Sequence, residues 1–218
     1  MNRFALLLAF FAANTMAAEP ALVDIKGVAP VVKVDARYAG SDNFVGAVVD
    51  GYHSNKCLLT EQAAAALAAA QQEFADFGLQ LVIYDCFRPQ RAVDHFLRWT
   101  RDEADTKTRA QYYPGIPKSE LVPLGYIAEQ SGHSRGSTVD LSLQTEAGDL
   151  LDMGSPWDFF DPLSNTENPS IPAQAKANRL LLRAVMAQHG FANYPAEWWH
   201  FTLVDEPNTD EYWDQPVR

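Results

Sequence analysis

The stretch "LTEQAAAALAAAQQEFADFGLQLVIYD", residues 59–85, indicates how this chain folds because it joins a helix directly to a strand. Thr60 can cap the helix, Glu61 favours the positive end of its dipole, and Gly78 is typical of a residue that ends one. Apolar residues recur at helical spacing and predict a buried stripe made of Leu67, Ala70, Phe74 and Phe77. Residues 79–85 then predict a buried strand.

Outward from this unit, the sequence predicts two further helices and two further strands. The helices cover residues 88–104 and 172–190, and the strands cover residues 137–143 and 198–204. Long loops at 105–125 and 152–172 separate them, and loops of that length in one domain are often functional. Because strands and helices do not alternate strictly, we expect a single α+β domain with a mainly antiparallel central sheet flanked by helices.

Composition excludes several classes of function. The 218 residues are 47% hydrophobic and 21% charged, as in globular proteins, and 17 basic residues face 28 acidic ones for a net charge of −11. A chain this acidic, without a basic stripe, is a poor candidate for binding nucleic acid or an anionic membrane. The composition assigns no oligomeric state.

The first eighteen residues, "MNRFALLLAFFAANTMAA", have the pattern of an export signal. Arg3 supplies the positive start, residues 4–13 are apolar, and Ala17 and Ala18 offer a cleavage site. The apolar run is too short to span a bilayer, which needs about 20 residues. We therefore predict a signal peptide over 1–18 and a mature domain over 19–218 that is periplasmic or secreted, without stable membrane insertion. A buried N-terminal helix is the alternative.

The chain has two cysteines, Cys57 and Cys86. In an oxidising compartment such a pair permits a disulfide, although the sequence does not establish that the two residues meet. Two thiols at this spacing do not make a zinc site.

Polar residues with metal-binding chemistry occur in "SGHSRGSTVDLSL", residues 131–143. His133 and Asp140 are seven apart, which in a regular strand would place them on opposite faces. Gly136 can turn the chain between them so that both point to one place. Taken singly, a hydrogen-bonded structural histidine and a turn aspartate are the alternatives.

A second polar group lies in the aromatic run "YPAEWWHFTL", residues 194–203. His200 would complete a set of two imidazoles and one carboxylate, which suits a catalytic zinc ion with one open position for water. Glu197 could then take a proton from the metal-bound water and pass it to a leaving amine. Trp198 and Trp199 would exclude water around it. A structural zinc site, which normally uses four protein ligands, fits this set less well.

Arg88 lies where the strand 79–85 gives way to a helix. At a strand end that opens into a cleft, a fixed guanidinium can stabilise the oxyanion of a tetrahedral intermediate. An arginine that lies along the helix surface is the alternative.

These residues carry a resemblance to a known family. The chain resembles D-alanyl-D-alanine dipeptidases of the vancomycin-resistance type, in the wider group of zinc D,D-peptidases. "SGHSRGSTVDL" and "EWWHF" are typical of the zinc group, whereas "YAGSDNF" and "MGSPWDFFD" indicate the dipeptidase branch. The similarity runs nearly collinearly from "DARYAGSDNFVG" to "GFANYPAEWWHFTLVDEP".

The resemblance implies a role for each matched position. It implies one zinc ion per chain held in a cleft by His133, Asp140 and His200, Glu197 as general base, and Arg88 as the group that stabilises the transition state.

The resemblance also implies that Ser131 and Asp158 bind the ammonium group of a small D,D-dipeptide, and Tyr38 is a further candidate for the pocket. A backbone hydrogen bond for Ser131 and a turn cap for Asp158 are their alternatives.

The expected reaction is hydrolysis of D-Ala-D-Ala to two D-alanines. A zinc D,D-carboxypeptidase acting on peptidoglycan stems is the nearest alternative. A non-catalytic wall-binding module is another, although none of the matched catalytic residues is lost. The export signal and the cysteine pair depart from the best-known resistance members and favour scavenging of D-alanine outside the cytoplasm over resistance.

Overall fold

The computed structural model describes residues 21–218, so the predicted signal peptide lies outside the described residues. Seven strands and five α-helices alternate irregularly along this part of the chain. In order they are β1 (Leu22–Asp24), β2 (Lys33–Val34), β3 (Leu58–Thr60), α1 (Glu61–Asp76), β4 (Leu79–Asp85), α2 (Gln90–Arg101), α3 (Arg109–Tyr112), α4 (Lys118–Leu121), β5 (Thr138–Thr145), α5 (Ala173–Gln188), β6 (Phe191–Asn193) and β7 (His200–Leu203).

A five-stranded sheet with the order β2-β4-β5-β7-β6 forms the centre of the fold. The β2–β4 pair is parallel and the other three pairs are antiparallel, which confirms the predicted mainly antiparallel α+β architecture. Strands β1 and β3 form a separate antiparallel pair. Helix α1 packs against β4 and α5, and α5 packs against β6.

The α1–β4 unit follows the pattern of its sequence. Thr60 accepts a hydrogen bond from the Ala63 backbone N–H and so caps α1, and Gly78 adopts a left-handed φ of 69° after it. Ala63, Leu67 and Phe74 are fully buried. The expected burial of Phe77 is wrong: its side chain is 55% exposed, because α1 ends at Asp76 and the chain turns away from the core there.

The other predicted elements differ from the structure mainly at their ends. The helix predicted over 88–104 covers Gln90–Arg101 as α2, and Pro89 directly precedes it. The predicted loops at 105–125 and 152–172 contain short helical segments. The first contains α3 and α4, and the second contains a 3₁₀ turn at Pro162–Ser164.

Cys57 and Cys86 form a disulfide with a Cα–Cα distance of 5.2 Å. It joins the segment just before β3 to the residue that follows β4. On both sides the backbone is also hydrogen-bonded, from the Phe87 N–H to the Leu58 carbonyl and from the Ile25 N–H to the Cys57 carbonyl. Across residues 21–218, no helix combines the length and apolar character needed to cross a bilayer.

Candidate active site

Three polar residues lie side by side across the middle of the sheet. Asp85 at the end of β4 is opposite Asp140 of β5, and Asp140 is opposite His200 of β7. The β4–β5 register shifts between Ile83 and Asp85, a bulge that brings the Asp85 carboxylate into this row. Such bulges frequently re-aim side chains next to active sites.

The side chain of His133 comes to this row of polar residues from the turn that precedes β5. It lies in a 3₁₀ turn, Gly132–Arg135, and Gly136 follows with a left-handed φ of 79° before β5 begins. Because the chain turns at Gly136, His133 and Asp140 do not belong to one regular strand, and the odd separation between them does not place their side chains on opposite faces. The His133 Nδ1 lies 2.7 Å from the carbonyl oxygen of Cys86, to which it donates, so Nε2 is left with its lone pair towards the site.

Three potential ligand atoms converge at this point. Asp140 Oδ1 lies 3.2 Å from His133 Nε2 and 3.1 Å from His200 Nδ1, and all three ligand atoms lie within 4.8 Å of one another. Although both imidazoles are close, Asp140 Oδ1 is buried and has no hydrogen bond of acceptable geometry among the described residues. His133 Nε2 and His200 Nδ1 are themselves 3.4 Å apart. An oxygen and two nitrogens that converge in this way fit a shared cation, and the donor set suits zinc.

The protonation states agree with a ligand set. Burial opposes ionisation of Asp140, but the neighbouring His133 and His200 hold its pKa well below the usual range. Burial also lowers the pKa of His200, which favours the neutral imidazole that binds a metal.

Glu197 is held beside His200 by a tight turn. Its Oε2 lies 3.5 Å from His200 Nδ1, and the Asn193 amide donates to the backbone carbonyls of both residues at 3.0 Å. Burial raises the pKa of Glu197 well above its usual range, and the charges of Asp140 and Asp158 raise it further. A carboxyl group in such an environment is suited to exchanging protons near neutral pH.

Arg88 is fixed over the row of polar residues. Its Nε and Nη2 each lie 2.9 Å from Asp85 Oδ2, and its backbone N–H donates to the His133 carbonyl. The guanidinium also lies over the rings of Tyr38 and Phe96. Its Nη1 makes no hydrogen bond within residues 21–218, so this group remains available to a ligand.

Asp158, in the 152–172 segment, lines the same cavity as Arg88 and Glu197. It is the one non-glycine residue in the described chain with a positive φ, at 58°, and the Tyr38 hydroxyl donates to its Oδ2 at 2.7 Å. No backbone N–H in residues 21–218 bonds to the carboxylate, so it does not cap the turn. Burial raises its pKa well above the usual range, and the Asp140 charge adds to this effect.

Ser131 lies at the cavity wall, where its hydroxyl accepts a hydrogen bond from the His133 backbone N–H. This contact shows a structural role in the turn, and a role towards a ligand stays a prediction.

The cavity enclosed by these residues has a volume of about 240 Å³. This is below the roughly 300–1,000 Å³ of pockets for drug-sized ligands and therefore fits a small molecule. Six aromatic residues contribute to its walls: Tyr38, Phe44, Phe96, Tyr126, Phe160 and Tyr194. Trp198 and Trp199 are both buried and do not contribute to the wall, and their expected role of excluding water around Glu197 stays a prediction.

Charge in this region is unbalanced. Asp85, Asp140, Asp158 and Glu197 are 2%, 2%, 5% and 8% exposed, and Arg88 is the cation among them. Full ionisation would leave an excess of three buried negative charges, which is costly unless cations compensate them. A divalent ion on the His133–Asp140–His200 set would leave one excess charge.

The structure thus brings together all seven residues that the sequence pointed to, together with Tyr38. It adds Asp85, which belongs to none of the polar motifs in the sequence. A carboxylate at the end of the apolar strand "LQLVIYD" was the available signal, because a strand end at a cleft is where such a residue can act.

The chain is similar to known proteins over most of its length. A family model described as D-ala-D-ala dipeptidase matches residues 18–218. A D-alanyl-D-alanine dipeptidase from Streptomyces coelicolor is 46% identical over 85% of this chain and 93% of its own length. One from Enterococcus faecalis is 45% identical with the same coverage.

A solved structure shows a weaker likeness. It is a vancomycin resistance D,D-pentapeptidase variant in complex with Zn(II), with a TM-score of 0.41 and 14% identity over 69% of this chain and 75% of that chain. At this level the likeness bears on neither the fold nor the chemistry of the present chain. The family model spans residues 18–218, a range that contains every residue of the site, and the two relatives each match over 85% of the chain. On that ground the chain belongs to the D-ala-D-ala dipeptidase family.

Proposed function

We propose that this metallopeptidase hydrolyses the free dipeptide D-Ala-D-Ala to two D-alanines in a zinc-dependent reaction. The observation that carries the proposal is one small cavity that is lined both by Asp140 and His200 of the His-Asp-His set and by a separate buried carboxylate, Asp158. The His-Asp-His set suits a catalytic metal. The carboxylate of Asp158 suits the free ammonium group of a dipeptide, which in a longer peptide is replaced at that position by an uncharged peptide nitrogen. The names of the relatives support the same substrate.

His133, Asp140 and His200 would hold one zinc ion. When bound, zinc supplies a Lewis acid for the scissile carbonyl and lowers the pKa of water in its remaining coordination position. The Cys86 carbonyl contributes by fixing the ring of His133, since partners of this kind hold a ligand in orientation and tautomer.

Glu197 acts as the general base and then as the general acid. It accepts a proton from the attacking water and delivers it to the nitrogen of the leaving amine. Two features support this role: the carboxyl lies 3.5 Å from a ligand histidine, and its pKa is raised by burial.

Arg88 stabilises the negative oxygen that develops on the scissile carbonyl. The bonds from Nε and Nη2 to Asp85 hold the guanidinium in advance, so little reorganisation is needed as charge appears. The free Nη1 is the donor that we assign to that oxygen.

Asp158 binds the ammonium group of the substrate. The hydroxyl of Tyr38 holds the Asp158 carboxylate in place. Ser131, which lines the same cavity, assists. Because the carboxylate is buried and poorly paired, it favours a ligand that brings a positive charge to it.

The location and the biological role of the protein belong to the same proposal. The N-terminal pattern predicts export to the periplasm or the outside, and a disulfide is typical of an oxidising compartment. An enzyme there would meet D-Ala-D-Ala released from the cell wall or supplied from outside. Scavenging of D-alanine is therefore the role that we propose.

The test is metal analysis of the purified mature chain together with an assay of D-alanine release from D-Ala-D-Ala. We expect about one zinc per chain, loss of activity on chelation, and recovery with added zinc. A zinc-loaded, folded protein that releases no D-alanine would contradict the proposal.

A further inference from the structure

The segment 213–217 connects three loops that surround the active site. Trp213 donates its backbone N–H to the Ser134 carbonyl and accepts from the Gln90 N–H, so it joins the turn of His133 to the start of α2. The backbone contacts are 2.9 and 3.0 Å. The segment therefore lies against the two pieces of chain that present His133 and Arg88.

The far end of the same segment holds the loop that carries Tyr52. Val217 donates its backbone N–H to the Gly51 carbonyl at 2.8 Å and accepts from the His53 N–H at 2.9 Å. Tyr52 lies between these two contacts, and its backbone pairs with Val217 as an isolated parallel bridge. Its position thus depends on residues that are far away in sequence.

The Tyr52 side chain points from this loop to the centre of the site. Its buried hydroxyl donates to Asp85 Oδ1 at 2.5 Å, while Asp85 Oδ2 accepts from the Nε of Arg88 at 2.9 Å. One carboxylate oxygen is therefore bound to the phenol and the other to the guanidinium. Rotation of the Asp85 carboxylate would break both interactions.

We infer that Tyr52 is a positioning residue for Arg88. It fixes the Asp85 carboxylate, which aims the guanidinium, and the segment 213–217 fixes the loop of Tyr52. The inference rests on the proposed catalytic role of Arg88. Without the phenol, a buried oxygen of Asp85 loses its donor, and Asp85 can turn away from the geometry that holds Arg88.

The test is a double-mutant cycle with Tyr52→Phe and Arg88→Lys. Phenylalanine keeps the ring that packs 5.6 Å from Tyr38 and removes the hydroxyl alone. In the otherwise unmodified enzyme we expect kcat to fall roughly 3- to 10-fold, the rate equivalent of one hydrogen bond, with KM and zinc content nearly unchanged. In the Arg88→Lys background the same change should have little further effect, since coupled residues are not additive.

Tyr113→Phe is the matched control. Tyr113 is also a buried residue and loses one hydrogen bond, to the Asp105 carbonyl, but it does not line the cavity, and none of its hydrogen bonds or ring contacts among the described residues involves Arg88. Its kcat should stay at the level of the unmodified enzyme. Deletion of residues 215–218 is a second variant, which removes the contacts of Val217 with the loop of Tyr52. It should also lower kcat, and combining it with Tyr52→Phe should lower kcat no further than Tyr52→Phe alone.

The outcomes separate this inference from the proposed function. Unchanged kcat in Tyr52→Phe, or an equal loss in both backgrounds, overturns the positioning role and leaves the proposed function intact. Unchanged kcat in Arg88→Lys overturns the proposed role of Arg88 and the inference with it. A smaller effect of Tyr52→Phe in the Arg88→Lys background supports both.

Discussion

Asp140 and His200 are paired directly across β5 and β7, and this register sets Asp140 Oδ1 3.1 Å from His200 Nδ1. Because side chains alternate between the faces of a sheet, a slip of one residue would send one of them to the opposite face. The pairing of Asp85 with Asp140 on the other side extends the row. The site is therefore a consequence of strand register, to which His133 is added by the turn at Gly136.

The first prediction separates the general base from the metal ligands. Glu197→Gln keeps the shape of the side chain but cannot accept a proton, so we expect zinc to stay bound while kcat falls about 10²–10⁴-fold, or more because the group serves two steps. Zinc content and steady-state kinetics on D-Ala-D-Ala measure this.

His200→Ala is its control, since it removes a ligand and should lose zinc affinity as well as activity. Near-normal turnover in Glu197→Gln, or loss of its zinc, would show that the base is a different group.

The second prediction concerns pH and Asp158. Burial raises its pKa in the folded protein, whereas in the unfolded chain its pKa is about 3.9. Above that pH the unfolded state releases this proton more readily than the folded state does, so the raised pKa makes stability fall as pH rises. Asp158→Asn removes this contribution.

In metal-free protein we therefore expect the Tm of Asp158→Asn to exceed that of the unmodified chain by a margin that grows above about pH 4. Asparagine also tolerates the positive φ at this position, an effect that adds the same margin at every pH. Thermal melts at a series of pH values distinguish the pH-dependent effect of the carboxylate from the constant effect of the backbone conformation. A margin that is constant with pH would mean that the Asp158 carboxylate is not destabilised by burial.

The third prediction concerns the disulfide between Cys57 and Cys86. The bond closes a loop with a sequence separation of 29, which corresponds to roughly 3–4 kcal/mol in the chain-entropy model. We expect the double variant Cys57→Ser, Cys86→Ser to lose up to that much unfolding free energy in denaturant titrations. Its kcat should change little, because backbone hydrogen bonds of Phe87 and Arg88 continue to hold the Cys86 carbonyl towards His133.

A thiol count provides the direct check of the same bond. Denatured, unreduced protein should show no reactive thiol, and two thiols per chain would disprove the disulfide.

Local signals in the sequence account for much of the fold. The α1–β4 unit was predictable because its apolar period, its Thr60 cap and the stop at Gly78 all lie within one stretch. The approach of His133 to Asp140 was predictable for the same reason, since one glycine between them allows the turn. Helices α3 and α4, with four residues each, are too short to show a helical period.

Residues that depend on distant contacts were not predictable. Asp85 joins the site because of a bulge in the β4–β5 register, and no pattern within β4 indicates where that shift falls. Tyr52 reaches Asp85 from a loop held by Val217. The contact of Tyr52 forms only when the whole chain is folded, so the sequence contains no local trace of it. For Asp85 the sequence offers a partial signal, a carboxylate at the end of an apolar strand, but not the register that brings it into the site.

The central claim is that Asp158 selects a free dipeptide, and the ratio of kcat/KM for D-Ala-D-Ala to that for N-acetyl-D-Ala-D-Ala tests it most directly. The acetylated substrate brings no ammonium group and leaves the buried carboxylate without a cation. Sites built to pair a polar group reject analogues that lack it by roughly 10⁴–10⁵-fold. We predict a ratio in that range, and a smaller ratio in Asp158→Ala. Comparable kcat/KM values for the free dipeptide, its acetylated form and a stem pentapeptide ending in D-Ala-D-Ala would contradict the account and indicate a D,D-carboxypeptidase.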